Sequence, residues 1–155
     1  MEKELVTLLR KLNLTISFGE SCTGGLLAST LVNVSGASNV FSESYVTYSE
    51  EAKMRILGVK KETLDKYSVY SEEVAIEMVK GVYNLSKANI AVSITGRAGG
   101  EVKEEQDGSC YFAILLHIGE KETLYTEHFI TSGLRNEVRK NQVEHIFEVI
   151  INLLK

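Results

Sequence analysis

The chain has 155 residues, 44% of them apolar and 25% charged, with a formal net charge of -4. That length suits one domain with its own core, and the acidic balance argues against a general nucleic-acid binder, which would carry a basic face. Two cysteines, Cys22 and Cys110, and three histidines, His117, His128 and His145, are too few and too scattered for a disulfide framework or a metal cluster, so neither a metal nor a cofactor is expected.

The start, Met1 to Leu5, is polar and lacks the apolar stretch of a signal peptide. Leu5, Leu8, Leu9 and Leu12 recur at helical spacing and predict an amphipathic helix ending near Asn13. Leu14 to Phe18 reads as a short strand bounded by Gly19. Ser21-Cys22-Thr23-Gly24-Gly25 follows, and Leu26 to Val34 is apolar enough for a helix packed on a sheet. Phe41 to Tyr48 reads as a second strand, and Ser49 can cap a helix that runs to Leu57 and stops at Gly58. Residues 60–67 suggest a further turn or two of helix, and Ser71 starts a longer helix to about Ser86.

Asn89 to Thr95 is almost continuously apolar, the pattern of a strand buried on both faces. The glycine-rich, charged stretch 96–107 reads as a loop. Cys110 to Ile118 and Glu122 to Ile130 form a hairpin around Gly119-Glu120, and Val138 to Leu154 closes the chain as a helix. The order α-β-α-β-α-α-β-β-β-α implies one domain, residues 1–155, with three layers around a mixed sheet. No segment approaches the roughly 20 apolar residues of a membrane span, so no membrane partner and a cytoplasmic address are expected.

Three strand-to-loop junctions could carry chemistry. The first is Gly19 to Gly25, where a hydroxyl stands at the carboxyl end of a strand and the next helix offers free N–H groups to a phosphate or an oxyanion. Taken alone, Ser21 or Thr23 would more often be a helix cap. The motif is neither an NTPase phosphate loop nor the glycine-flanked nucleophile elbow. The second runs from Tyr45 to Lys53; a lysine whose charge is disfavoured by burial can act as base for a serine, although a lone lysine is usually solvated. The third is Ser93 to Gly100, otherwise a plain surface connection. Together they suggest a small-molecule site at the edge of a sheet.

At these residues the chain resembles the CinA C-terminal domain, the nicotinamide-nucleotide amidohydrolase family. GESCTGGLLAS is similar to the family's AESCTGG block and VTYSEEAK to its TYSNEAK block. NIAVSITG resembles the strand before its TGIAGP-GG loop, and Gly133-Leu134-Arg135 with Val138-Arg139 resembles the start of its last helix. The resemblance implies a three-layer α/β/α fold and hydrolysis of the carboxamide of nicotinamide mononucleotide to nicotinate mononucleotide and ammonia. It implies Ser21 as nucleophile, Lys53 as its base and Tyr48 as a proton relay or positioning group. Glu20, Thr23, Gly24 and Gly25 would then bind substrate from the first junction, and Thr95, Gly96 and Arg97 from the third. Arg135 and Arg139 are candidates for the substrate phosphate, and the resemblance leans towards a homo-oligomer. No domain is expected before this one, and so no ADP-ribose pyrophosphatase activity.

The departure from the family lies in the 96–107 loop, where Arg97 replaces an apolar residue and Gly99 stands at the proline position. Two alternatives follow: a shifted amide substrate, or a non-catalytic domain that binds a nucleotide or a protein partner through that loop. Cys22, next to Ser21, is an alternative nucleophile, though a buried apolar thiol is its commoner role.

Overall fold

A computed structural model describes residues 1–99 and 107–155. Twelve elements follow in order: α1 (Glu2–Leu12), β1 (Ile16–Glu20), α2 (Leu26–Leu31), a short 3-10 turn (Ala37–Asn39), β2 (Tyr45–Val46), α3 (Glu50–Leu57), α4 (Lys61–Tyr67), α5 (Glu72–Ser86), β3 (Ile90–Gly96), β4 (Asp107–Ile118), β5 (Lys121–Ser132) and α6 (Arg135–Leu154). The sheet has the order β2-β1-β3-β4-β5, with β1 parallel to β2 and β3, and the last three strands antiparallel. It is the mixed sheet expected from the sequence. Among the described residues no helix is long and apolar enough to cross a membrane.

Alternation along the strands sorts the core into two layers. Ile16, Phe18, Ile90, Val92, Ile94, Phe112 and Ile114 pack with α1, α2 and α6. Ala91, Ala113 and Leu115 face α3, α4 and α5 on the other side. The second face is built from small residues, so its helices come close. At Gly81 on α5, an added Cβ would lie 2.1 Å from the Leu57 carbonyl oxygen of α3. Gly81→Ala must therefore push apart two helices, one of which carries Lys53, and is expected to cost about 2 kcal/mol or more in denaturant unfolding.

Helix ends follow local chemistry. Ser49 Oγ accepts from the Ala52 N–H and Ser71 Oγ from the Val74 N–H, each a three-residue N-cap. Asn13 ends α1 in the left-handed conformation at φ 57°, which Asn tolerates better than most residues.

Boundaries differ from the sequence reading by a residue or two at β1 and β3 and by more in four other places. The expected strand over Phe41 to Tyr48 shrinks to Tyr45–Val46, with one bridge from Phe41 to Ile16. There side chains stand in for the ladder: Ser17 Oγ donates to the Glu43 carbonyl at 2.5 Å, and Ser44 Oγ accepts from the Phe18 N–H at 3.1 Å. The helix expected to Val34 ends at Leu31, where backbone turns take over. The hairpin is longer than predicted, paired in register from Asp107↔Ser132 to Ile118↔Lys121. Finally, α6 begins at Arg135, because the Glu137 carboxylate accepts from the Leu134 N–H at 2.8 Å.

Candidate active site

Strand β1 lies between β2 and β3, and the helices that link these strands lie on opposite faces: α2 follows β1 on one, α3 to α5 precede β3 on the other. Such a switch point opens a crevice at the carboxyl ends of the strands. Ser21, Thr47 and Arg97 each stand directly after one of these three ends. A cavity of about 580 Å³ occupies the crevice, a volume that suits a nucleotide-sized molecule. Ser21, Cys22, Tyr48, Lys53, Gly96, Arg97 and Arg135 line it, together with Ser49, Glu50, Val69, Tyr70, Ala98 and Gly99.

Lys53, one turn into α3, is only 1% exposed. Its Nζ lies 2.8 Å from Ser21 Oγ, 2.8 Å from the Thr47 carbonyl and 3.4 Å from that of Tyr48. Burial holds its pKa down to about 8, against the opposing pull of Cys22 and Glu50. None of the ion pairs among the described residues involves Lys53, so no carboxylate fixes its charge. As a neutral amine it can give two N–H groups to the two carbonyls and turn its lone pair to the serine hydroxyl. That is a serine with a base in place.

Cys22 points elsewhere. Its thiol donates to Gln142 Oε1 at 3.5 Å, and burial pushes its pKa up to about 12. It remains a thiol at neutral pH and is a poor nucleophile.

Four residues assigned to substrate from the first junction have other tasks. Glu20 is fully buried and turned away from the cavity: its Oε1 accepts from Thr23 Oγ1 and from the N–H groups of Gly25 and Leu27, its Oε2 from that of Ala28. The carboxylate thus caps α2, whose N-cap residue, Gly25, has no side chain to do so. Thr23 serves the same cap, and Gly24 and Gly25, at φ 58° and 103°, make the turn that brings those N–H groups round. Glu20→Gln keeps one carbonyl acceptor but sets an NH₂ group against backbone donors. It is expected to lower stability by about 2 kcal/mol or more, read as a fall in the thermal midpoint. Thr95 is also buried and is not among the residues that line the cavity; its Oγ1 donates to the Val69 carbonyl at 2.8 Å and so holds the Val69 wall.

At the mouth, Tyr48 is 59% exposed and its hydroxyl accepts from Arg135 Nη2 at 3.0 Å, while Arg135 Nη1 donates to the Gly99 carbonyl at 2.6 Å. The Arg97 guanidinium lies over the Tyr70 ring, 5.9 Å from its centre. Arg139 is engaged with the Cys22 and Thr23 carbonyls and does not line the cavity. Of the two arginines proposed for a phosphate, only Arg135 faces the site. Among the described residues no three His, Cys, Asp or Glu side chains converge as metal ligands would. Residues 100–106, most of the divergent loop, lie outside the described residues; Gly96 belongs to β3 and Asp107 to β4.

The model of the CinA C-terminal domain matches residues 1–154. The chain belongs to the CinA C-terminal domain family. It is 40% identical over its full length to a CinA-like protein from Petrotoga mobilis, and 47% identical over 90% of its length to one from Kosmotoga olearia. It spans only 38% and 33% of those two proteins. Among solved structures, a competence or damage-inducible protein from Enterobacter asburiae superposes with a TM-score of 0.90 at 31% identity, covering 99% of this chain and 96% of that one. The competence/damage inducible protein CihA from Agrobacterium tumefaciens gives 0.89 at 32% identity, covering 99% and 93%. The architecture of this CinA domain is therefore that of the family, an α/β/α sandwich over a mixed sheet.

Two features of this CinA site escaped the sequence reading. Tyr70 read only as part of the link before α5. Gln142 is one polar residue on an apolar helix face, and that break in the α6 pattern was the available signal.

Proposed function

We propose that this CinA domain is an amidohydrolase that cleaves the carboxamide of nicotinamide mononucleotide through a Ser21–Lys53 dyad. The observation that carries the reading is the 2.8 Å contact between Lys53 Nζ and Ser21 Oγ at the wall of the cavity. The choice of substrate rests on the motif resemblance, and the cationic lining from Arg97 and Arg135 in an acidic protein supports an anionic ligand.

In the first half-reaction the neutral Lys53 amine takes the Ser21 proton as Oγ attacks the carboxamide carbon. The resulting oxyanion needs backbone donors. Gly25, Leu27 and Ala28 give their N–H groups to Glu20, and that of Gly24 closes a turn on Ser21; the Cys22 and Thr23 N–H groups are left to serve. The intermediate collapses with cleavage of the C–N bond, and the Lys53 ammonium returns its proton to the departing ammonia. Water, deprotonated by Lys53, then attacks the Ser21 ester; as the C–O bond to Ser21 breaks, the Lys53 ammonium returns the proton to Ser21 Oγ, and nicotinate mononucleotide leaves. Tyr48, tied to Arg135, orients substrate at the mouth.

The test is ammonia release by the purified protein from nicotinamide mononucleotide, beside nicotinamide riboside and free nicotinamide. Release from the mononucleotide supports the assignment. Release only from another amide overturns the substrate, and silence on every amide overturns the hydrolase.

A further inference from the structure

Helix α6 reaches the site through one face, where Arg135, Arg139 and Gln142 follow at helical spacing. Arg135 is exposed and Arg139 half-buried, but Gln142 is fully buried, on a helix whose Val138, Val143 and Ile146 are buried too. A primary amide in such surroundings is costly unless both its ends are paired. Both are: Oε1 accepts from the Cys22 thiol at 3.5 Å, and Nε2 donates to the Arg97 carbonyl at 3.3 Å. Cys22 follows the nucleophile, and Arg97 opens the opposite wall of the cavity; both line it.

We infer that Gln142 is a positioning residue that fixes the distance between the nucleophile turn and the β3–β4 wall. From the same helix Arg139 holds the Cys22 and Thr23 carbonyls and Arg135 the Gly99 carbonyl, but Gln142 bonds to both the nucleophile turn and Arg97. Strands β1 and β3 are paired only as far as Gly19↔Ser93, so the ladder stops short of Ser21 and Arg97. Beyond that point the Gln142 amide links the two segments, at Cys22 on one side and Arg97 on the other. Its two hydrogen-bonding ends match a thiol donor on one side and a carbonyl acceptor on the other, which no apolar side chain of equal size could do.

The inference concerns the geometry of the proposed hydrolase site, so the test pairs a kinetic readout with one that needs no activity. Gln142→Met conserves volume, suits the apolar neighbours and removes both hydrogen bonds. Its thermal midpoint is expected to stay at or above that of the wild type. Alkylation of Cys22 by iodoacetamide, followed by peptide mass spectrometry, is expected to speed up severalfold, with Cys110 unchanged as the internal control. The kcat for ammonia release is expected to fall about tenfold with little change in KM, since misplacing a reacting group costs rate more than ground-state binding. Gln142→Leu, which likewise offers neither an acceptor to the thiol nor a donor to the Arg97 carbonyl, should give the same direction of effect. A stable Gln142→Met protein with wild-type alkylation rate would overturn the inference, whatever the activity. If Gln142→Met does not fold, Gln142→Leu is read by the same two measurements, and wild-type values there overturn it equally. A wild type that releases no ammonia while the alkylation rates differ rejects the proposed hydrolase and leaves the positioning role standing.

Discussion

Ser21→Ala is expected to reduce ammonia release from nicotinamide mononucleotide by about 10³-fold or more, as loss of a nucleophile does in serine hydrolases. Among the described residues, the only side-chain hydrogen bond that Ser21 makes is the one with Lys53, so the fold should survive. The α2 cap depends on Glu20, not on Ser21, and stays in place. The variant should therefore keep its thermal midpoint within a few degrees and still bind the mononucleotide, which calorimetry would report. Unchanged ammonia release would remove Ser21 from its role. With Cys22 held as a thiol by burial, the adjoining residue could not take over at neutral pH.

Lys53→Met carries the second large effect. Removing the base should lower kcat/KM by about 10³-fold. In the proposed mechanism the neutral amine is the active form, and burial holds the Lys53 pKa down to about 8. The rate is thus expected to rise with pH through about 8 and to level off above it. A profile flat from pH 6 to 10 would reject Lys53 as the base.

The same shift affects stability, with a definite sign. The folded pKa of about 8 lies below the ordinary 10.5, so between those values the unfolded chain holds more protons. Stability therefore rises with pH across that window, and below about pH 8 the burial cost of the ammonium is fully present. Denaturant midpoints of the wild type should show this increment relative to Lys53→Met, which has no group titrating there. An identical pH dependence in the two proteins would contradict the assignment of the shift to Lys53.

How much of this was legible beforehand differs from element to element. Helical spacing in α1, the apolar run of β3 and the alternating hairpin gave the element order, because apolar periodicity is a direct record of which face is buried. Ser21, Tyr48, Lys53, Gly96 and Arg97 were singled out by the motif resemblance at three strand-to-loop junctions, and the structure brings all five to one cavity. Glu20, Thr23, Gly24 and Gly25 were drawn into the same group because they adjoin Ser21. Adjacency along a strand end does not say which way a side chain turns, and the Glu20 carboxylate turned to the unsatisfied N–H groups of α2.

The sequence by itself thus determined the layers, the core and the chemistry available at each junction, since these follow from composition and period. Tertiary structure decided what each polar group meets. The Ser21–Lys53 contact spans 32 positions and the Gln142 bridge 120 and 45, each made by elements that meet only after the sheet and its helices have packed. Burial then does what no local pattern records: it lowers the pKa of a lysine, a surface type of residue, and keeps a cysteine, a reactive type, as the thiol, because removing water penalises the charged form of both.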